Sequence, residues 1–164
     1  MTLIKIVSGG QTGVDRAALD AACEARIPSG GWCPKGRRAE DGVIPERYCL
    51  QETRARSYTV RTGWNVRDSD GTLILYKGLF GGGTELTFKM ARQQGKPCFV
   101  VQLDKDPELA PVLAWIIDHD INVLNVAGPR EAGRPGIYQE AKTFLVQLFL
   151  QRSSANGRDA KQIL

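Results

Sequence analysis

The chain has 164 residues, a formal net charge of +4, 42% hydrophobic and 24% charged residues. That is one domain's worth of sequence with an ordinary globular composition, and no run approaches the roughly 20 consecutive apolar residues of a membrane span. Four widely spaced cysteines (Cys23, Cys33, Cys49, Cys98) and a single histidine, His119, form no zinc-binding pattern, so the cysteines read as buried thiols and no metal site is expected.

Leu3 to Val7 is a short apolar run that reads as a first strand, without the cleavage site of a secretory signal, which implies a cytoplasmic protein. Ser8-Gly9-Gly10-Gln11-Thr12-Gly13 breaks it, and Val14 to Arg26 resumes with helical spacing. Ile27-Pro28-Ser29-Gly30 ends the helix, and Gly31-Trp32-Cys33 is a brief second strand. Residues 34–47 show no periodicity, and so long a loop within a compact domain suggests a function. Between Pro34 and Arg67 the basic residues outnumber the acidic by four, the whole excess of the chain. Without interleaved aromatics or a reading motif, that cluster fits a pocket for a small anion at least as well as a nucleic-acid stripe, and a merely solvated basic face remains the alternative.

Ser57 to Asp68 is spaced as a helix through Tyr58, Arg61, Thr62, Asn65 and Val66, and Asp68-Ser69-Asp70-Gly71 turns into the strand Thr72–Tyr76. Lys77 to Gly83 is a glycine-rich turn, Thr84 to Gln94 a helix, and Cys98 to Leu103 a strand. Asp106 and Pro107 read as cap and first-turn residue of a helix reaching His119, Asn122 to Val126 as the last strand, and Gly136 to Arg152 as the closing helix. Apolar strands alternating with helices predict a single α/β domain over residues 1–152. Its fold would be Rossmann-like and doubly wound, with about five mainly parallel strands, helices on both faces and a tail over 153–164. Right-handed crossovers would place every strand-to-helix loop on one edge, where ligands bind.

Three of those loops carry chemistry. Gly9, Gly10 and Gly13 permit tight backbone, while Ser8, Thr12 and the amides opening the first helix can donate to phosphate oxygens, with Arg16 in the first turn. The spacing differs from the G-x-G-x-x-G of dinucleotide binders, which disfavours a plain dehydrogenase. In the second loop Gly81, Gly82 and Gly83 form a cradle of amides, with Thr84 where a cap hydroxyl would sit and Glu85 next to it. The third loop brings Asn125, Gly128 and Arg130 to the same edge, and Lys35 and Arg37 follow the second strand there. Trp32 has a stacking reading and a commoner packing one. Asp68 and Asp70 precede a strand and read as turn formers at the opposite edge. No nucleophile or carboxylate pair is placed for catalysis, so the sequence leans toward binding.

Taken together, Ser8 to Arg16, Gly31 to Arg37, Arg61-Thr62-x-x-Asn65-Val66, Asp68-Ser69-Asp70, Gly82-Gly83-Thr84 and Asn125 to Glu131 resemble the molybdenum carrier family. That family is similar to the algal molybdenum cofactor carrier, within a superfamily of Rossmann-like nucleotide-derivative binders that includes lysine decarboxylase-like phosphoribohydrolases. The resemblance implies a carrier of molybdenum cofactor (molybdopterin), a homodimer or homotetramer that passes its cargo to molybdoenzyme apoproteins, with no nucleic-acid or membrane partner. The phosphoribohydrolase branch has a P-G-G-x-G-T-x-x-E loop whose glutamate is catalytic. Here threonine (Thr87) stands at the matching place, leaving Glu85 as the substitute if the chain were a hydrolase or a nucleotide-derivative sensor instead.

Overall fold

A computed structural model of the chain describes residues 3–156. The main sheet is built from β1 (Lys5–Val7), β2 (Ser29–Gly30), β7 (Gly71–Tyr76), β8 (Cys98–Gln102) and β9 (Val123–Ala127). Its order is β2-β1-β9-β7-β8 and every pairing is parallel. The helices are α1 (Val14–Glu24), α2 (Tyr58–Arg67), α3 (Gly82–Gln93), α4 (Ala110–Asp118) and α5 (Ile137–Asn156). This is the Rossmann-like doubly wound architecture that the alternation of elements predicts. Had β9 come first in the chain, the strands would run 3-2-1-4-5, the first five of the order in doubly wound dinucleotide-binding sheets. The element that usually opens such a fold here closes it.

The apolar side chains of α1, α4 and α5 form one core with Leu3, Ile6, Leu73, Leu75, Val101, Leu124 and Val126 of the sheet. Right-handed crossovers from β2 to β7 and from β7 to β8 carry α2 and α3 to the other face, where they pack on each other. Strand β7 lies between β9 and β8 and is covered on both faces, so Leu73, Ile74 and Leu75 are wholly buried.

Several boundaries differ from the sequence reading. The second strand of the sheet is Ser29–Gly30. Gly31, at φ +131°, then turns the chain so close over β1 that an added Cβ would lie 2.3 Å from the Ser8 carbonyl oxygen. Trp32–Cys33 (β3) therefore leaves the sheet and pairs with β6 (Gln51–Glu52). Asn65 fixes that departure, accepting from the Trp32 amide at 2.7 Å and donating to its carbonyl at 3.0 Å. The 34–47 segment is ordered by contacts that leave no sequence period. It contains a hairpin of β4 (Arg38–Ala39) and β5 (Gly42–Val43), and Arg37 donates to the carbonyls of Ile44, Pro45, Tyr48 and Leu50. Ala39, Ile44, Tyr48 and Leu50 form a small second core with Leu19 and Cys33.

Helix α3 begins at Gly82 and is preceded by Gly81, so Thr84 lies inside the first turn and is not the cap. Asp106 adopts a left-handed conformation after a 3-10 turn at Leu103–Lys105, and the helix expected from Asp106 begins at Ala110, with Pro111 in its first turn. Helix α5 runs to Asn156, beyond the expected end at Arg152; the rest of the expected tail lies outside the described residues. Only Cys33 is a buried thiol: Cys23 and Cys49 are exposed and Cys98 is half-buried, its thiol pushed up to about 11 by burial. Asp70 lies in the bend before β7, and its carboxylate ties that bend to the start of β9, accepting from the Asn122 and Val123 amides at 3.0 and 2.7 Å. Asp68 accepts from the Trp32 indole at 2.7 Å, and Trp32 meets Trp64 edge to face.

The first and third loops touch backbone to backbone. At Gly13, φ +78°, a Cβ would stand 2.4 Å from the Pro129 carbonyl oxygen; at Gly128 it would stand 2.2 Å from the Leu75 carbonyl oxygen. These neighbours are main chain and cannot rotate away. Gly13→Ala and Gly128→Ala should each cost about 2–3 kcal/mol in urea unfolding, from main-chain clash at both and from left-handed strain at Gly13 as well. A loss below about 0.5 kcal/mol, the range of neutral surface changes, would show that the loops approach less closely than described.

Candidate functional site

The carboxyl ends of β1, β9 and β7 open into a cleft of about 590 Å³. Its floor is the sheet edge at Gly9, Gln11 and Asn125 to Gly128, one wall is the face of α2, and the other is the start of α3 with the loop before it. In a doubly wound sheet ligands bind where the strand order reverses. Here that point lies between β9 and β7, and the cleft sits on it.

The two glycine loops differ in what their amides do. In the first loop three are spent internally: Gln11 N–H donates to Asp15 Oδ2 at 3.2 Å, Thr12 N–H to Gln11 Oε1 at 3.1 Å and Val14 N–H to the Pro129 carbonyl at 3.2 Å. Its glycines are matched to close neighbours as well: a Cβ at Gly9 would collide with the Arg61 guanidinium, and one at Gly10 with Leu50 and Ile44. In the second loop no side chain caps the start of α3, and a Cβ added at Gly81, Gly82 or Gly83 would meet nothing within 4 Å. The first amides of α3 thus face open cleft with the positive end of the helix dipole behind them.

Of the candidates read from sequence, the cleft gathers Gly9, Gln11, Gly81, Gly82, Gly83, Thr84, Asn125, Gly128 and Arg130. Ser8 lies beneath it, wholly buried, with its hydroxyl donating to the Val126 carbonyl at 2.7 Å. Gly10, Thr12 and Gly13 are in the adjoining loop but do not line the cleft. Arg16 does not line the cleft and grips Asp41 with two bonds of 2.5 and 2.7 Å. Lys35 and Arg37 are likewise outside, Arg37 being spent on the carbonyls of its own loop. Glu85 pairs with Lys89 at 2.7 Å on the outer side of α3, away from the cleft.

The cleft also contains residues that sequence reasoning did not single out as ligands. Tyr58, Arg61, Thr62 and Asn65 line it together, because the i, i+3, i+4, i+7 spacing that makes α2 a helix also puts them on one face. That spacing was the available signal. Arg134 lines the cleft from the third loop and stitches the other wall to it, donating to the carbonyls of Lys77 and Leu79 at 3.0 and 3.2 Å. Leu79, Phe80 and Leu86 form an exposed apolar lip, with Phe80 edge to face on Tyr76 and Phe88.

At the deepest point Arg61 meets Asp15 at 2.9 Å, and both side chains are nearly buried, 13% and 3% exposed. Burial pushes the Asp15 carboxyl above its ordinary range, against the pull of the Arg61 guanidinium and the Gln11 amide. The Arg61 Nε is buried without a hydrogen-bond partner among the described residues. Among the described residues no group of three His, Cys, Asp or Glu side chains is placed to hold a metal ion, and no helix is long and apolar enough to cross a membrane.

Removing the cation leaves a buried carboxylate alone. Arg61→Leu should destabilise the chain by about 3–5 kcal/mol near neutral pH. Because the Asp15 pKa is raised on folding, its ionised form is the penalised one, and the penalty disappears as pH falls through the raised value. The stability deficit of Arg61→Leu relative to the parent should therefore shrink as the pH is lowered from neutrality toward the ordinary carboxylate range, read as urea midpoints. A deficit that stays constant or grows on acidification would show that Asp15 is not the group left uncompensated.

A model of the circularly permutated YpsA SLOG family matches residues 6–149. Among solved structures the chain is similar to the crystal structure of "Putative molybdenum carrier protein" from Syntrophus aciditrophicus SB. The two share 50% sequence identity and a TM-score of 0.85 over 91% of this chain and 96% of that one. A comparison with curated proteins gives no match. The permutation in the family's description corresponds to a feature of the sheet, in which the strand that would be first in the common order is the last in the chain and lies at the centre. The chain belongs to the circularly permutated YpsA SLOG family.

Proposed function

We propose that the chain is a carrier that binds a phosphate-bearing pterin or nucleotide-like molecule in the cleft, with molybdenum cofactor as its cargo. The observation that carries this reading is the uncapped start of α3. Three consecutive glycines leave the space in front of the first amides empty, opposite Arg61 and Arg130 across the cleft. Such a cradle suits the oxygens of a phosphate, whereas a cap side chain or a Cβ would fill it. The apolar lip at Leu79, Phe80 and Leu86 suits one face of a planar heterocycle. The likeness to a protein named as a molybdenum carrier supports the choice of cargo.

Transfer to molybdoenzyme apoproteins, assembly as a homodimer or homotetramer and a cytoplasmic setting belong to the same proposal. Glycosidic hydrolysis has less support. Among the described residues the one carboxylate lining the cleft, Asp15, is tied to Arg61, and Glu85 is held by Lys89 outside it.

Gly82 sits at φ +58°, so any side chain there adds strain, whereas Gly83 has ordinary backbone and open space. Gly83→Val should fold normally yet block the cradle. We expect purified parent protein to release an oxidisable, fluorescent pterin with molybdenum on denaturation, and Gly83→Val to release at least about tenfold less, since the lost amide contacts and dipole together are worth roughly 1.4 kcal/mol or more. Equal cargo in both proteins would remove the cradle from the binding site, and a nucleotide in place of the pterin would change the cargo.

A further inference from the structure

The β4–β5 hairpin lies across the first strand-to-helix loop and is fastened there several times over. The Glu40 amide donates to Gln11 Oε1 at 2.9 Å, Asp41 takes both terminal nitrogens of Arg16, and Ala39 and Ile44 sit in the small second core. Tyr48, at the base of the segment, donates to Asp20 at 3.0 Å, and Asp20 also accepts from Tyr138 of α5 at 2.6 Å. The Glu40 carboxylate joins this anchoring and reaches further. Its Oε1 accepts from the Thr12 hydroxyl and, at 3.1 Å, from the Ala132 amide, while its Oε2 lies 3.7 Å from Arg130 Nε.

A hydroxyl, a main-chain amide and a guanidinium from two separate loops thus converge on one carboxylate whose side chain is 16% exposed. That donor set recognises tetrahedral oxyanions as readily as carboxylates. Thr12 is itself positioned by the Glu131 amide, which donates to its hydroxyl at 3.2 Å, and Arg130 also lines the cleft. We infer that Thr12, the Ala132 amide and Arg130 form an oxyanion subsite at the rim of the cleft, in which Glu40 is a resident competitor displaced by a phosphate-type group.

The inference rests on the cleft being the site of an anionic cargo, and it assigns the charged end of that cargo a second anchor. A phosphate brings up to two charges and three acceptor oxygens where Glu40 brings one charge and two. Arg130 is 56% exposed, so its attraction to Glu40 is weak and readily exchanged. The hairpin stays fastened through Asp41 and the second core when the Glu40 side chain swings out. The subsite therefore exchanges one anion for another without unfolding the loop, and the Arg130 charge is never left bare.

The test titrates the full chain with inorganic phosphate by calorimetry. Glu40→Gln keeps an acceptor oxygen for Thr12 and Ala132 but removes the competing charge, and should bind phosphate about two- to fivefold more tightly than the parent, the range of a partly exposed ion pair. Adding Thr12→Val to Glu40→Gln should abolish that gain. Glu40→Ala serves as a second variant free of the carboxylate. If both Glu40 variants are folded by circular dichroism and bind phosphate no more tightly than the parent, the inference is overturned. A parallel titration with a nucleoside monophosphate identifies the source of the oxyanion. A gain shared by both probes assigns the subsite to the phosphate of an organic cargo, and a gain confined to inorganic phosphate assigns it to a free oxyanion. Gly83→Val leaves all three donors intact, so a gain that persists in Gly83→Val, Glu40→Gln while cargo retention is unaffected by Gly83→Val would overturn the cradle and keep the subsite.

Discussion

Asp15 lies 3% exposed at the first turn of α1, and the Arg61 guanidinium of α2 rests against it over a glycine whose missing Cβ leaves the room. This pair joins elements from opposite faces of the sheet across its carboxyl edge. A carboxylate so placed cannot be left alone, and a guanidinium so placed cannot be far from one, so the position of α2 relative to the first loop is tightly constrained. Once α2 is fixed, Tyr58, Thr62 and Asn65 follow on the same face, and Asn65 in turn holds Trp32 out of the sheet. The wall of the cleft is thus a consequence of one buried ion pair more than of the apolar core, and the pair is better explained by the geometry it imposes than by any stability it confers.

The two glycine loops show how the same residue type serves opposite ends. In the first, glycine admits neighbours: Arg61 at Gly9, Ile44 and Leu50 at Gly10, the third loop's backbone at Gly13. In the second, glycine admits nothing that belongs to the protein, and the helix start is left uncapped. An amide already bonded inside the chain has little to offer a ligand, while an amide facing empty space has an unmet need. Polarity is distributed accordingly, with the first loop acting as scaffold and the second as the open face.

Much of the fold was legible because parallel strands covered by helices leave continuous apolar runs, as in the buried Gly71 to Tyr76 and the half-buried edge strand Cys98 to Gln102. What failed to show was whatever depended on contacts distant in sequence. Gly31 reads as part of a strand until the approach of Ser8 is seen to forbid it. The 34–47 segment is held by one arginine reaching four carbonyls, which has no period. Asp106-Pro107 carries the local chemistry of a helix start, yet the left-handed turn at Asp106 moves the helix to Ala110. For the candidate site, composition and glycine spacing pointed to the edge of the sheet where the cleft opens and to loops that line it. They could not say which amides were already spent, nor that Arg16, Arg37 and Glu85 are engaged elsewhere, because a charged residue's partner is a property of the folded chain.

The position of β9 has a consequence for how the molecule is made. It separates β1–β2 from β7–β8, and until it is inserted these two strand pairs share no hydrogen bond in the sheet. A ribosome delivers it after all four, so the completed sheet waits on a pairing between residues more than a hundred positions apart, as between Ile6 and Leu124. Non-local closure of this kind is entropically expensive and slow. It also means that the floor of the cleft, its Asn125 and its Arg130 all arrive with the last strand and the loop behind it. Partly synthesised or misassembled chains lack the cleft, which takes shape in the same step that completes the sheet.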